Sequence, residues 1–203
     1  MLKAFGPFAI VFEPMGYDTT PYLTLLHLHD QRSSDVIRTI RDLATDDSVT
    51  HVVTLLRDDN WRPHLIGAIA AFYKTTTEAV AQLWRAVDAG SWVTPQLTGI
   101  LSRIDNEFTS KAVVRLMKLC PIIDDPEYSI QSPLEKHSAQ GPAGSNHRSA
   151  KSATSLLALL DENEIAQFYA NENLHALIRN DYDGSADIAI SWMEKFLELD
   201  SQL

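Results

Sequence analysis

Two histidines at alternate positions, His27 and His29, with Asp30 beside them, are the residues of this sequence best suited to binding a metal. On a β-strand the two imidazoles would lie on one face and could ligate a metal together. On a helix, residues two apart diverge by about 200°, which prevents joint ligation. A complete metal site needs roughly three or four ligands, and the sequence has no HExxH motif that could supply the missing ligands. The sequence therefore predicts no metal and no cofactor, and a metal-dependent enzyme built on these three residues is the alternative.

A second acidic pattern, Asp181-Tyr182-Asp183-Gly184, resembles the middle of an EF-hand calcium loop, in which glycine occupies the sixth position. In that register the first position is Arg179 and the twelfth is Ile190. Both carboxylates that the loop requires at its ends are therefore missing. The pattern predicts a turn that caps a helix.

The patterns of nucleophilic and phosphate-binding sites are weak. Cys120 lies beside Pro121 at the end of an apolar helix, and we expect a buried structural thiol because cysteine is among the most buried residue types. Residues 141–151 contain glycines and a lysine but lack the GK[ST] that a phosphate-binding loop requires. A GxSxG motif is also absent. The sequence predicts no catalytic residue.

Residues 52–73 predict the structural element around which the rest is organised. Val52, Val53, Leu55 and Leu56 recur at the spacing of one helical face. The polar residues 57–60 then form a corner, and Pro63 fits the first turn of a second helix, where its missing N–H costs nothing. The second helix contains small residues that let another helix approach closely, namely Gly67, Ala68, Ala70 and Ala71.

This hairpin resembles a HEAT-type repeat through its pattern LLxDxxW followed by small residues. The matching positions are Leu55, Leu56, Asp58, Trp61, Gly67, Ala68 and Ala70. That family usually has Val-Arg near the start of the second helix, where this chain has Pro63-His64. The resemblance implies an α-solenoid with a binding surface, and it implies no chemistry.

Internal similarity extends the pattern along the chain. Residues 63–69 align with residues 95–101 at an offset of 32, Trp61 and Trp92 lie 31 apart, and a third unit begins at Ala112. Such spacing is typical of stacked helical hairpins. Trp61 and Trp92 then line one rim of the solenoid with Arg62, because tryptophan and arginine are common interface anchors. The alternative is that each tryptophan packs onto its own hairpin.

The remaining segments complete a single domain of residues 1–203. Residues 1–20 predict an irregular N-terminal arm, in which residues 8–12 form a short strand or an extended arm packed on the first helices. Residues 21–30 predict a helix, with a strand as the alternative. Residues 121–152 predict a flexible loop, and residues 138–151 its disordered part. The fold class is all-α: stacked antiparallel helical hairpins that form a short HEAT-like α-solenoid or an irregular helical bundle, with Trp84 and Trp192 in the core.

The charge distribution limits the partners. The net charge is −10, and residues 161–203 carry 10 acidic and two basic residues, a net charge of −8. Such a surface repels nucleic acid, whose binding depends on cationic side chains. It attracts a basic protein, for which Asp181, Asp183 and Asp187 are the candidate contacts. The alternative is a solvated acidic surface that aids solubility.

The predicted location is the cytoplasm. A single cysteine fits a reducing compartment, no apolar run approaches the roughly 20 residues of a membrane span, and the N-terminus lacks the features of a signal peptide. We therefore expect no membrane association. The expected function is a protein-binding adaptor or inhibitor, in one version a bacterial immunity protein that neutralises a basic toxin. The alternatives are an enzyme with a pocket built from dispersed residues and a structural subunit of a larger assembly.

Overall fold

The computed structural model describes residues 2–13, 20–28, 31–123, 142–168, 171–179 and 181–203. These residues form helices and no β-strand, which confirms the all-α prediction. The α-helices are α1 (Gln31–Leu43), α2 (Val49–Arg57), α3 (Trp61–Tyr73), α4 (Thr77–Asp88), α5 (Thr94–Ile104), α6 (Phe108–Ile123), α7 (Pro142–Leu157), α8 (Glu162–Ala166), α9 (Glu172–Arg179), α10 (Ser185–Asp187) and α11 (Met193–Asp200). No helix within these ranges is long and apolar enough to cross a membrane.

Helices α2 and α3 form the helical hairpin predicted for residues 52–73. The Asp58 carboxylate accepts a hydrogen bond from the Asn60 N–H at 2.8 Å, and the Asn60 side chain accepts one from the Arg62 N–H at 3.1 Å. Asn60 is therefore the N-cap of α3. Pro63 lies in the first turn of α3, as predicted. These local hydrogen bonds fix the corner between the two helices.

Successive hairpins stack in two layers. Helix α2 packs against α4, and α3 packs against α5, so the α2–α3 hairpin lies directly on the α4–α5 hairpin. Helix α7 continues the second layer because it packs against α5, and α6 packs against α7. The described helices therefore confirm a stack of hairpins, and the ends of α2 and α4 lie side by side.

Gly67 allows the close approach of α2 to α3. A Cβ atom at this position would lie 2.8 Å from Cγ of Leu56 and 3.1 Å from Cβ of Leu55. We expect Gly67→Ala to lower the free energy of unfolding by about 1–3 kcal/mol through overpacking. Helix propensity alone would raise it by about 1 kcal/mol, so the sign of the change measured by urea denaturation is decisive. A variant more stable than the wild type would contradict this packing.

The N-terminal prediction was wrong in part. Residues Leu2–Phe12 form 3₁₀-helical turns interrupted at Gly6, whose φ is 54°. Phe5, Phe8 and Val11 are buried, and their spacing of three residues matches the 3₁₀ repeat. This segment packs on α2 and is part of the core instead of an irregular arm or strand. Residues 14–19 lie outside the described part of the chain.

The loop prediction for residues 121–152 was also wrong where the structure describes it. Helix α6 continues to Ile123, and α7 begins at Pro142, so residues 142–152 are helical. The small side chains of this segment suggested disorder, yet Ala150, Ser152 and Ala153 are buried between helices. Small residues permit close helix contacts as well as flexibility, and the sequence alone does not separate the two. Residues 124–141 lie outside the described residues.

The acidic C-terminal region closes the stack. A π-helical turn, Ile188–Trp192, connects α10 to α11 and packs against α5. The Trp192 indole N–H donates to the Leu25 carbonyl at 2.7 Å, which ties this region to the 3₁₀ helix Pro21–Leu26. The Tyr73 hydroxyl donates to the Asp200 carboxylate at 2.6 Å. The C-terminal helices are therefore anchored to the 3₁₀ helix Pro21–Leu26 and to the C-terminal end of α3. Trp192 and Trp84 are both buried, as predicted.

Candidate functional site

A cleft of about 730 Å³ lies where the α2–α3 corner, the α4–α5 corner and the N-terminal half of α7 meet. Its size falls within the range of about 300–1,000 Å³ typical of ligand sites. The lining residues are Leu56, Asp58, Asp59, Asn60, Trp61, His64, Arg85, Ala86, Ala89, Gly90, Ser91, Trp92, His147, Arg148 and Lys151. The cleft thus combines aromatic side chains with charges of both signs, and we call it the corner cleft.

His64 joins the two corners at the floor of the corner cleft. Its Nε2 lies 2.6 Å from the Asp58 carbonyl oxygen, and its Nδ1 lies 2.9 Å from the Ser91 hydroxyl. A carbonyl only accepts, so Nε2 carries the proton and the Ser91 hydroxyl donates to Nδ1 of a neutral ring. Burial lowers the pKa of His64 below 6.5, which favours this neutral form. His64 therefore fixes the relative position of the two hairpins.

Trp61 and Trp92 come together at the rim of the corner cleft. Their ring centroids are 4.9 Å apart with an interplanar angle of 50°. The two tryptophans therefore form a contact between the α2–α3 hairpin and the α4–α5 hairpin. Trp92 is 56% exposed, an unusual fraction for so large an apolar side chain. The pair presents an aromatic surface to solvent.

Arg62 extends this aromatic surface. Its guanidinium carbon lies 4.9 Å from the Trp61 ring centroid, and its Nε donates to the Tyr22 hydroxyl at 2.9 Å. Tyr22 in turn contacts Trp61 edge-on at 6.0 Å between centroids. The structure thus places Trp61, Arg62 and Trp92, the predicted partner-binding residues of the hairpins, on one surface, and it holds the arginine in place.

The three predicted C-terminal aspartates have different environments. The Asp181 carboxylate accepts hydrogen bonds from the Ala186 and Asp187 N–H groups at 2.6 and 3.3 Å, which is the predicted helix-capping turn. Asp183 lies 3.3 Å from the Lys151 ammonium. Asp187 is exposed. Asp181 and Asp183 therefore make contacts within the fold, and Asp183 and Asp187 are both exposed.

Lys151 connects Asp183 with the corner cleft. Its ammonium lies 5.6 Å from the Trp92 ring centroid and donates to the Trp92 carbonyl at 3.5 Å. Because Asp183 is its ion-pair partner, Lys151 adds little net charge to the cleft. Lys151 therefore helps to hold Trp92 in position.

Arg85 and Arg148, which we call the basic wall, line the corner cleft together with Asp58 and Asp59. Both arginines are exposed. Within the described part of the chain, neither guanidinium forms a hydrogen bond or ion pair with a side chain. Arg148 also borders a second cleft of about 400 Å³. Sequence reasoning missed both arginines because they come from separate helices, and Arg148 lies in the segment predicted to be disordered.

Neither family models, nor curated proteins, nor solved structures match this chain. The HEAT-type pattern of the α2–α3 hairpin thus remains a resemblance.

The other candidate residues do not assemble a site in the described structure. In the described part of the chain, no group of three or more histidine, cysteine, aspartate or glutamate side chains could hold a metal. His27 is exposed, and His29 and Asp30 lie outside the described residues. Cys120, the single cysteine of the sequence, is half-buried, less than the full burial we expected. Neither His27 nor Cys120 lines the corner cleft.

Proposed function

We propose that this chain is a protein-binding adaptor or inhibitor whose partner docks over the Trp61–Trp92 pair. The observation that supports this is the 56% exposure of Trp92 beside a second tryptophan and Arg62. Binding energy at protein interfaces concentrates in tryptophan, tyrosine and arginine side chains that a partner desolvates. Here those side chains are already held by mutual contacts, so little conformational freedom is lost on binding.

The charge of the chain favours a basic partner. The net charge is −10, and Asp59 on the corner cleft and Asp187 at the start of the C-terminal helices are exposed carboxylates. Complementary charge accelerates association and selects the partner. In one version the chain is a bacterial immunity protein that acts in the cytoplasm and neutralises a basic toxin domain. Its size and acidity support that version.

A pull-down from the native host's extract at low and high salt tests this proposal. We expect a basic protein that is retained at low salt and lost at high salt, because salt screens exposed charges. Asp59→Lys and Asp187→Lys are expected to weaken its capture. Asp47→Lys is the matched control, since Asp47 is exposed but lies at the opposite end of α2. Asp181 and Asp183 are excluded because their reversal would disturb a helix cap and an ion pair. Capture that survives both high salt and the two reversals would contradict the electrostatic proposal.

A second candidate is an enzyme in which Ser91 is the nucleophile and His64 the base. The observation that favours it is the 2.9 Å distance between the Ser91 hydroxyl and the unprotonated Nδ1 of His64, with both residues lining the corner cleft. A fluorophosphonate reagent should then label Ser91 in the wild type and leave Ser91→Ala unlabelled. An unlabelled wild type would eliminate this candidate.

A further inference from the structure

The corner cleft contains three kinds of recognition group in one place. Arg85 and Arg148 provide cationic donors, Trp92 provides an aromatic side chain that is 56% exposed, and Asp58 and Asp59 provide acceptors. A ligand that uses all three needs an anionic end, a flat ring and hydroxyl or amino donors. We propose that the corner cleft binds a mononucleotide. This inference does not depend on a protein partner.

Arg85 and Arg148, the basic wall, are the residues that would bind the phosphate of the nucleotide. Neither guanidinium is neutralised by a carboxylate among the described residues, and guanidinium groups bind phosphate through paired N–H donors. The α4–α5 corner holds Arg148 in position: a Cβ atom on Gly90 would lie 2.7 Å from Cβ of Arg148, and Gly90 has a φ of 70° that favours glycine. The backbone therefore passes directly beside the arginine.

The tryptophan and aspartate groups suit the other parts of a nucleotide. Bases stack on exposed aromatic rings, and Trp92 is 56% exposed, with the Lys151 ammonium 5.6 Å from its ring centroid. Carboxylates accept hydrogen bonds from ribose hydroxyls in nucleotide sites, and Asp59 is exposed at the rim. One phosphate needs only a local cationic wall, so the overall acidity that disfavours nucleic acid does not disfavour a mononucleotide.

Calorimetric titration of the isolated full-length chain tests this proposal. The probes are the four ribonucleoside monophosphates, their nucleosides and inorganic phosphate. At least one nucleotide should bind about tenfold or more tightly than its nucleoside and than phosphate, because the charge-assisted and stacking contacts add. It should also quench tryptophan fluorescence in the wild type but much less in Trp92→Phe.

Arg85→Gln and Arg148→Gln should each weaken that nucleotide by about tenfold. Arg103→Gln is the matched control, because Arg103 is exposed on α5 and does not line the corner cleft. The proposal would be overturned if no nucleotide binds, or if the nucleotide binds no more tightly than phosphate. It would also be overturned if Arg85→Gln, Arg148→Gln and Arg103→Gln all weaken nucleotide binding equally. Because the titration uses the chain alone, its result is independent of the pull-down.

Discussion

Replacing Trp192 by alanine is expected to lower the free energy of unfolding by about 3–5 kcal/mol, the range for truncating a large aromatic side chain in a core. Trp192 is 4% exposed and stacks on Phe196 with 5.4 Å between ring centroids. Its indole N–H also donates to the Leu25 carbonyl at 2.7 Å. The substitution therefore leaves a cavity and an unpaired carbonyl where the C-terminal helices close the stack.

Comparing the free energies of unfolding of Trp192→Ala and Trp92→Ala by urea denaturation tests whether the loss depends on burial. The two variants remove the same side chain, but Trp92 is 56% exposed. We expect Trp92→Ala to lose about 1 kcal/mol or less. Similar losses in the two variants would show that the C-terminal helices do not close the core as described. Trp192→Phe should recover part of the loss, since it keeps one aromatic ring in the core but gives up the hydrogen bond and the volume of the second ring.

Replacing His64 by alanine is expected to lower the free energy of unfolding by about 2–4 kcal/mol. The side chain is buried, and its removal leaves the Ser91 hydroxyl and the Asp58 carbonyl without their partner. His51→Ala is the control, because His51 is only partly buried and makes one long hydrogen bond of 3.4 Å. A loss in His64→Ala no larger than in His51→Ala would contradict the role of His64 in joining the two corners.

The contribution of His64 should depend on pH with a definite sign. Burial lowers the pKa of the folded-state imidazole below the ordinary value of 6.5. As the pH falls below 6.5, the unfolded chain takes up a proton that the folded chain still excludes, so the free energy of unfolding decreases. The stability difference between the wild type and His64→Ala should therefore shrink between about pH 7.5 and about pH 5.5. A difference that grows as the pH falls would contradict the neutral, buried ring.

The α2–α3 hairpin could be predicted because its signals are local. The apolar spacing of α2, the Asp58–Asn60 corner and Pro63 lie within one short stretch of sequence, and each acts on its immediate neighbours. The N-terminal 3₁₀ helix was missed because Gly6 and Pro7 suggest breaks. The apolar residues 8–12 indicated packing on the first helices, and the structure shows Phe5 and Phe8 buried in a segment that packs on α2.

The corner cleft was predicted only in part for a similar reason. The repeat spacing of 31 residues between Trp61 and Trp92 placed both tryptophans on one rim, and the structure brings their rings into contact. The basic wall consists of Arg85 on α4 and Arg148 on α7, and no sequence pattern links these two distant positions. The predicted acidic contacts Asp181 and Asp183 proved to be engaged within the fold, because a carboxylate's availability depends on neighbours that sequence does not show.

The most direct test of the central claim compares pull-downs with wild type, Trp92→Ala and Met117→Ala. Met117 is a matched control, since its side chain is 55% exposed on α6 and does not line the corner cleft. A partner anchored on Trp92 should lose about tenfold or more in capture by Trp92→Ala, as a tryptophan hot spot does, and be captured normally by Met117→Ala. Equal capture by Trp92→Ala and wild type would show that the partner does not dock over the tryptophan pair.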